Sequence, residues 1–460
     1  MSNSESSVLP KDILPTMAVP QLSVFFVLTG IMLHVLLAYF SKLSSLFSSL
    51  YAFAMLPLGL SFLVWDKQPR RLINLTAYIA GAEVLWRMTK VGLFWEYGKY
   101  AVILFLVLGM LRWRPRVSLM PVIFFLLLVP AVFLTISSTP LDEARKAISF
   151  NLAGPLALSV AGLFFSGRKL PLHECQEVFL YTILPIAGIA FLAFFRAYTA
   201  TDLEFGSQSN FITSGGYGPN QVSGILGLGA LLCFVLLMLQ ERFDRFSWLI
   251  AGLLAWFLMQ AFLTFSRGGV ANFLGAALLA TPFFLRNQKQ HLGKLLYLPF
   301  IVIILAFVLL PKLDAFTGGK MSERFSDTST TGRWEVIQKD LALWQNNFIF
   351  GAGIGQSATE RFKETDSPLV LGQTQSLAAH TEYSRLLAEH GLFGLMAMLV
   401  LGGMFLQAVF SAPNPVVRGL KIALMACALL AMTHQAMRLV AIAYFFSFSL
   451  ARFEDDQPCG

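Results

Sequence analysis

Apolar runs of about 18 to 22 residues recur along this 460-residue chain from Gln21 onward, and they restrict its fold more than any other feature. A helix of that length crosses roughly 30 Å of hydrocarbon at about 1.5 Å per residue. The chain is 56% hydrophobic and 13% charged, with a mean hydropathy of +0.67, which an ordinary soluble domain does not reach. Strand-length alternation is absent from the sequence. The pattern therefore predicts an all-α polytopic membrane protein rather than a barrel.

The apolar runs predict about 12 to 14 transmembrane helices. The candidate spans cover residues 21–40, 46–65, 72–94, 100–111, 117–136, 148–165, 178–195, 221–239, 246–265, 268–285, 292–310, 390–410, 416–432 and 439–450. The fourth and the last are shorter than a full crossing requires.

Short basic clusters follow every second span, such as "DKQPRR" after the second and "VVRGLK" after the twelfth. By the positive-inside rule these loops and the amino terminus face the cytoplasm. The expected organisation is a cytoplasmic segment over 1–20, a transmembrane bundle over 21–310, a large outer loop over 311–380, C-terminal transmembrane helices over 381–452 and a cytoplasmic tail over 453–460. Topology thus explains the net charge of +8, and nucleic acid is not an expected partner.

The outer loop is too long to be a plain connection, which predicts structure or function within it. Trp334, Ile337, Leu341 and Trp344 fall at helical spacing and predict an amphipathic helix. This helix packs either against the protein or on the lipid interface, and the sequence leaves both readings open. The following "GAGIGQS" lacks the lysine and the strand-then-helix context of a phosphate loop, so we do not assign it to nucleotide binding.

Two arginines are candidates for binding an anion. Arg196 ends the seventh span and Arg267 begins the tenth, so both are expected at the outer edge of the bundle. A lone arginine there usually anchors a helix at the interface. Two of them, each beside a loop of small polar residues, favour an anion site, because a guanidinium binds phosphate through two parallel hydrogen bonds and stays charged.

One histidine is a candidate for proton transfer. His380 precedes Thr381, a predicted N-cap, and Glu382 follows in the first helical turn. The positive end of a helix disfavours imidazolium, and a neutral imidazole can accept a proton. From the residues alone, a structural role for His380 is the stronger alternative. No metal-ligand spacing is evident, and no chemistry is assigned to the remaining histidines, which are His34, His173, His291, His390 and His434.

The order of these motifs resembles the O-antigen ligase and polymerase superfamily. The resemblance covers roughly residues 196–395 and rests on "GPNQVS", "TFSRGG", "GRWEVIQKDLALW", "FGAGIG" and, most specifically, "HTEYSRLLAEHGLFGL". The usual family form has His-Asn where this chain has His380-Thr381. The difference keeps the imidazole but weakens any role for an amide at that position.

The resemblance implies a bundle similar to type-C glycosyltransferases in the bacterial inner membrane, with its active site facing the periplasm. It implies a glycan donor carried on undecaprenyl diphosphate, a diphosphate held by Arg196 and Arg267, and an acceptor hydroxyl activated by His380. The implied reaction inverts the anomeric centre and needs no metal or cofactor. A ligase would use lipid A core as acceptor, whereas a polymerase would join lipid-linked repeat units of O-antigen or exopolysaccharide.

A lipid-linked oligosaccharide flippase, or another transporter, is the alternative from a different class. Its best support is the third span, which contains Glu83, Arg87 and Lys90. Glu83 and Arg87 are also four residues apart, however, and at that spacing they are expected to pair on one helix face.

Overall fold

The computed structural model describes residues 24–114, 118–201, 204–206, 208–240, 244–286, 307, 310–326, 333–363 and 381–454. The eleventh predicted span lies almost entirely outside these residues. His380 also lies outside them. The described helices are α1 (Val24–Leu43), α2 (Ser45–Trp65), α3 (Arg70–Met88), α4 (Tyr97–Arg112), α5 (Leu119–Leu126), α6 (Pro130–Ser138), α7 (Leu141–Phe165), α8 (Leu172–Thr199), α9 (Pro219–Leu239), α10 (Arg245–Leu263), α11 (Arg267–Leu285), α12 (Leu310–Phe316), α13 (Lys320–Ser326), α14 (Arg333–Asn346), α15 (Gln356–Lys363), α16 (Glu382–Phe410), α17 (Pro415–Met432) and α18 (Val440–Phe448).

The prediction of an all-α polytopic membrane protein is confirmed. Within the described ranges, ten helical stretches are long and apolar enough to span a membrane, with α5 and α6 counted together. Three more helices, α3, α4 and α18, belong to the same bundle but are shorter or more polar. The sequence of α3 is polar, yet its residues are almost all buried. This burial is possible because its charged side chains pair inside the protein.

A short parallel ladder joins two distant parts of the chain. Strand β1 (Lys169–Pro171) follows α7, and strand β2 (Arg452–Glu454) follows α18. Lys169 Nζ lies 2.6 Å from Glu454 Oε1. The end of α7 and the end of α18 therefore lie on the same side of the bundle, as the predicted topology requires of two cytoplasmic segments.

Helices α9 and α11 approach so closely that their backbones touch. A Cβ atom on Gly269 would lie 1.8 Å from the Ser223 carbonyl oxygen, and one on Gly227 would lie 2.1 Å from the Gly269 carbonyl oxygen. Small residues permit this approach between membrane helices. The contact fixes the start of α11 against the start of α9.

Helix α16 is broken at Gly391, where φ is 62° and ψ is −134°. The glycine-rich segment 348–355 fills the break: the Ala352 amide donates to the Ala388 carbonyl at 2.9 Å, and the Leu392 amide donates to the Phe348 carbonyl at 2.8 Å. A broken helix at membrane depth must find such partners for its backbone groups. This segment therefore has a structural role, and it attaches the outer loop to the bundle.

Replacing Gly391 with alanine should destabilise the protein. Few L-residues adopt this backbone conformation, which by itself costs about 1–3 kcal/mol, and the added Cβ would lie 2.5 Å from the Gly351 amide nitrogen. Thermal unfolding of the purified protein in detergent measures the effect. Gly402→Ala is the matched control, because a Cβ there has no neighbour within 4 Å in the same helix. Equal unfolding temperatures for the two variants would contradict the role given to the break.

Candidate active site

The turn before Arg267 is held by contacts on several sides. Phe265 is fully buried and has a φ of 56°, an unusual conformation for an aromatic residue. Arg324 Nε donates to the Phe265 carbonyl at 3.2 Å, and the Ser266 amide donates to Thr264 Oγ1 at 3.1 Å. The Asn210 amide donates to the Thr264 carbonyl at 3.0 Å. These contacts maintain a strained conformation two residues from Arg267.

The "GPNQVS" motif holds the same turn from α9. Asn220 Oδ1 accepts a hydrogen bond from Ser266 Oγ at 2.8 Å, and Ser223 Oγ donates to the Ser266 carbonyl at 2.9 Å. Ser266 therefore does not cap α11 with its side chain, and the first turn of α11 contains no acidic residue. The N-terminus of this 19-residue helix keeps the partial positive charge that attracts anions.

Three arginines concentrate positive charge at this helix start. Arg267 is the first residue of α11, Arg324 comes from α13, and Arg333 begins α14. Burial and the positive charges of Arg267 and Arg324 lower the pKa of Arg333 below its ordinary value. Guanidiniums that repel one another in a partly buried site are stabilised when an anion binds between them.

His434, to which the sequence analysis assigns no chemistry, lies over the first turn of α11. Its Nε2 is 3.0 Å from Asn272 Oδ1, and a Cβ on Gly268 would lie 2.4 Å from its Cε1. Burial, together with the charge of Arg333, lowers the pKa of His434 to about 4. Its buried Nδ1 has no hydrogen-bond partner among the described residues. The ring is neutral near pH 7 and, with Nε2–H directed at Asn272, its Nδ1 is an acceptor.

The start of α16, which follows His380 in the chain, is held in a fixed place. Thr381 Oγ1 accepts from the amides of Tyr383 at 3.1 Å and Ser384 at 3.3 Å, which confirms the predicted N-cap. Ser384 Oγ donates to the buried carboxylate of Asp340 at 2.6 Å. The amphipathic helix α14 therefore packs against α16 through Asp340, while Trp334 stays exposed.

Glu382 connects the start of α16 to the loop that contains His434. Its Oε2 accepts from the Met437 amide at 3.0 Å, and its carboxylate also pairs with Arg385. Arg385 pairs in turn with Glu389 at 2.8 Å, and all three ionic groups are buried. The residues next to His380 in sequence thus contact loop 433–439, which also contacts the start of α11.

Arg196 lies at a different edge of the site. It is exposed near the end of α8, where a Cβ on Gly216 would lie 3.2 Å from its Nε. Loop 208–218, which contains Gly216, also contacts the turn at Thr264. There Gln260 Nε2 donates to the Thr213 carbonyl at 3.1 Å. The structure brings Arg267, Arg324, Arg333 and His434 together and places Arg196 along this loop.

The predicted pair of Glu83 and Arg87 is confirmed, with 2.7 Å between Arg87 Nη2 and Glu83 Oε1. Arg87 Nη1 also donates to Gln221 Oε1 at 3.1 Å and to the Arg438 carbonyl at 3.0 Å. The Val440 amide donates to Glu83 Oε2 at 2.7 Å. This buried network joins α3 to α9 and also holds loop 433–439 at Arg438 and the start of α18 at Val440.

Within the part of the chain that the structure describes, no three histidine, cysteine, aspartate or glutamate side chains are grouped as a bound metal ion would require. The polar side chains that converge at α11 are arginines, a histidine, two asparagines and two serines. This composition suits an anion and a hydroxyl group.

Comparison with known proteins adds one match. A family model described as O-antigen ligase matches residues 252–399, a segment that includes Arg267, Arg324, Arg333 and His380. No curated protein matches the chain. The matched segment contains both the three-arginine cluster and the histidine motif noted in the sequence. The chain is thus a multi-pass membrane protein in which residues 252–399 are similar to the O-antigen ligase family.

Proposed function

We propose that this protein is an O-antigen ligase that transfers a glycan from an undecaprenyl-diphosphate carrier to a sugar hydroxyl of lipid A core. The reaction takes place at the periplasmic face of the bacterial inner membrane. The observation that carries the proposal is the cluster of Arg267, Arg324 and Arg333 at the start of α11, inside the segment matched by the family model.

The cluster suits the leaving group of this transfer. The bond between the anomeric carbon and the diphosphate oxygen breaks, and negative charge grows on the departing undecaprenyl diphosphate. Guanidiniums and a helix N-terminus held in place beforehand stabilise that charge as it develops. Arg267 contacts the diphosphate in this mechanism, and Arg196 reaches it from the end of α8, beside loop 208–218.

His380 is assigned as the base. The attacking hydroxyl loses its proton as its oxygen bonds to the anomeric carbon from the side opposite the leaving group, so the configuration inverts. The capped start of α16 supports this assignment, because a helix N-terminus keeps a neighbouring imidazole neutral. We assign His434 a positioning role, in which its Nδ1 accepts a hydrogen bond from a sugar hydroxyl.

Two alternatives remain from the sequence. A polymerase that joins lipid-linked repeat units would use the same arginines and histidine with a different acceptor. A flippase would need mobile charged groups along its path. The best feature for a flippase, Glu83 with Arg87, instead forms a buried network with Gln221 and the backbone of loop 433–439, which favours a fixed scaffold.

Reconstitution separates these functions. Purified protein in proteoliposomes is given a lipid-linked glycan together with either lipid A core or a second lipid-linked unit. We expect the glycan to appear on lipid A core and undecaprenyl diphosphate to be released. Polymer formed only from lipid-linked units would establish the polymerase instead. Movement of the intact lipid-linked glycan across the membrane, without any transfer product, would refute both enzymatic functions.

A further inference from the structure

A cavity of about 690 Å³ is lined in part by Ala436 and Arg438 of loop 433–439, the loop that also contains His434. Five segments line it: the loop before α4, the first half of α7, the start of α15, the first turns of α16 and loop 433–439 itself. The volume is in the range of pockets that bind small organic ligands. In the predicted topology all five segments are on the outer side. We call it the outer cavity.

Glu96, a residue of the cavity wall, keeps one carboxylate oxygen without a hydrogen bond from any described residue. Glu96 is only 6% exposed and its Oε2 pairs with Lys99 at 2.6 Å. Its Oε1 is buried and has no hydrogen-bond partner within the described part of the chain. A buried carboxylate oxygen without a donor is unfavourable, so a ligand that donates a hydrogen bond there would be stabilised. A sugar hydroxyl is such a donor.

Aromatic rings form part of the same wall. Trp95 is 53% exposed and Phe150 is 42% exposed, although both line the outer cavity. Arg87 Cζ lies 5.2 Å from the Trp95 ring centroid, and Arg438 Cζ lies 5.7 Å from the Phe150 ring centroid. Both rings therefore make cation–π contacts with an arginine. Ring faces of this kind pack against the C–H faces of sugars, while polar groups nearby bind their hydroxyls.

The charged groups of the outer cavity leave a positive rim. The carboxylates on its wall are already engaged: Glu389 pairs with Arg385 and accepts from Ser357 Oγ at 2.8 Å, and Glu96 pairs with Lys99. Arg145 and Lys146 are exposed on α7, and no ion pair of either is found among the described residues. The rim therefore favours a ligand with a negative group.

We propose that the outer cavity binds the acceptor glycan through a saccharide that carries an acidic group, with Glu96 binding a hydroxyl and Arg145 and Lys146 binding the acid. This inference rests on the proposed function, because it gives the transferase its acceptor site. Loop 433–439 contributes Ala436 and Arg438 to the wall of the outer cavity and His434 to the start of α11. An acceptor held there would lie next to the bound donor.

Protection from labelling tests the proposal without any need for activity. Ala358→Cys places a thiol in the cavity wall of the full-length protein, with Cys459→Ser removing the cysteine of the tail. The probes are cellobiouronic acid, its neutral counterpart cellobiose, and glycerophosphoglycerol, which represents a lipid headgroup. A hydrophilic maleimide reports on access to the thiol. Thr199→Cys, exposed at the end of α8, is the matched control.

We expect cellobiouronic acid to slow labelling at position 358 about tenfold when present at ten times its Kd, and to leave position 199 unchanged. Cellobiose should protect far less. Arg145→Gln combined with Lys146→Gln should weaken protection about tenfold, because charge-assisted hydrogen bonds are lost. The double variant changes only exposed side chains, so folding should be retained.

Three results would overturn the proposal: no protection by either sugar, equal protection by cellobiose and cellobiouronic acid, or protection by glycerophosphoglycerol alone. The last would make the outer cavity a lipid site. The transfer assay is a separate measurement. Transfer without protection would refute only the acceptor site, and protection without transfer would refute only the enzymatic function.

Discussion

Lysine in place of Arg267 should slow glycan transfer by about 10²-fold, and alanine by about 10²- to 10³-fold, since one stabilising donor is lost where the leaving group gains charge. Lysine keeps the charge but lacks the planar fork that binds two phosphate oxygens at once. The position makes the loss severe, because Arg267 begins α11 on a turn fixed by Arg324, Asn220 and Ser223. A lysine ammonium at the same place cannot reproduce the two parallel hydrogen bonds of the arginine guanidinium.

The measurement for Arg267 is the single-turnover rate in proteoliposomes, with thermal unfolding of each variant to confirm folding. Arg286→Ala is the matched control, since Arg286 is exposed at the opposite end of the same helix and should leave transfer unchanged. A near-normal rate for Arg267→Lys would reject two-point phosphate binding. Unchanged transfer by Arg267→Ala would reject the diphosphate site itself.

His380→Ala should slow transfer by about 10²- to 10⁴-fold, the usual contribution of a general base, while binding of the undecaprenyl-diphosphate donor persists. Donor binding and transfer are measured separately, with a labelled donor and with product analysis. His380→Gln distinguishes the roles, because glutamine retains hydrogen bonding but cannot take the proton. A fully active His380→Gln enzyme with an unchanged pH profile would remove the base assignment.

The control for His380 comes from the structure rather than from the sequence. His390 looks suitable because it lies ten residues further on, but it is buried at the break of α16, so its removal would leave a cavity. His173 begins α8 on the side of the β ladder, far from the start of α11 along the chain. His173→Ala should retain transfer, and this comparison isolates the effect of losing the imidazole at position 380.

The sequence predicts those features that arise from local patterns. Apolar run length predicts most of the helices, and the spacing of Trp334, Ile337, Leu341 and Trp344 predicts α14, because periodicity records which face is buried. Thr381 is recognisable as an N-cap because the motif needs only its own helix turn. Arg267 stands out because a charge at a helix start is visible in the sequence itself.

The remaining features depend on contacts between distant residues. His434 and Asn272 are 162 positions apart, and no local pattern links them; the only signal was the position of His434 in an outer loop between two spans. Arg324 and Arg333 join Arg267 only once α13 and α14 fold onto the turn. The break at Gly391 is hidden because "EHGLFGL" continues a helical pattern, and the segment that fills it lies some forty residues earlier.

The break in α16 also locates the outer boundary of the membrane. A straight helix of 29 residues would be about 43 Å long, well beyond the roughly 30 Å of hydrocarbon. The stretch 391–410 alone is about 30 Å long and reaches across that layer, which leaves 382–390, with its buried ion pairs, at the height of the lipid headgroups. In the proposed function, a polyprenyl carrier presents its diphosphate at that same height. Such a carrier would reach the arginines by diffusing sideways within the membrane, with its hydrocarbon tail still in the bilayer.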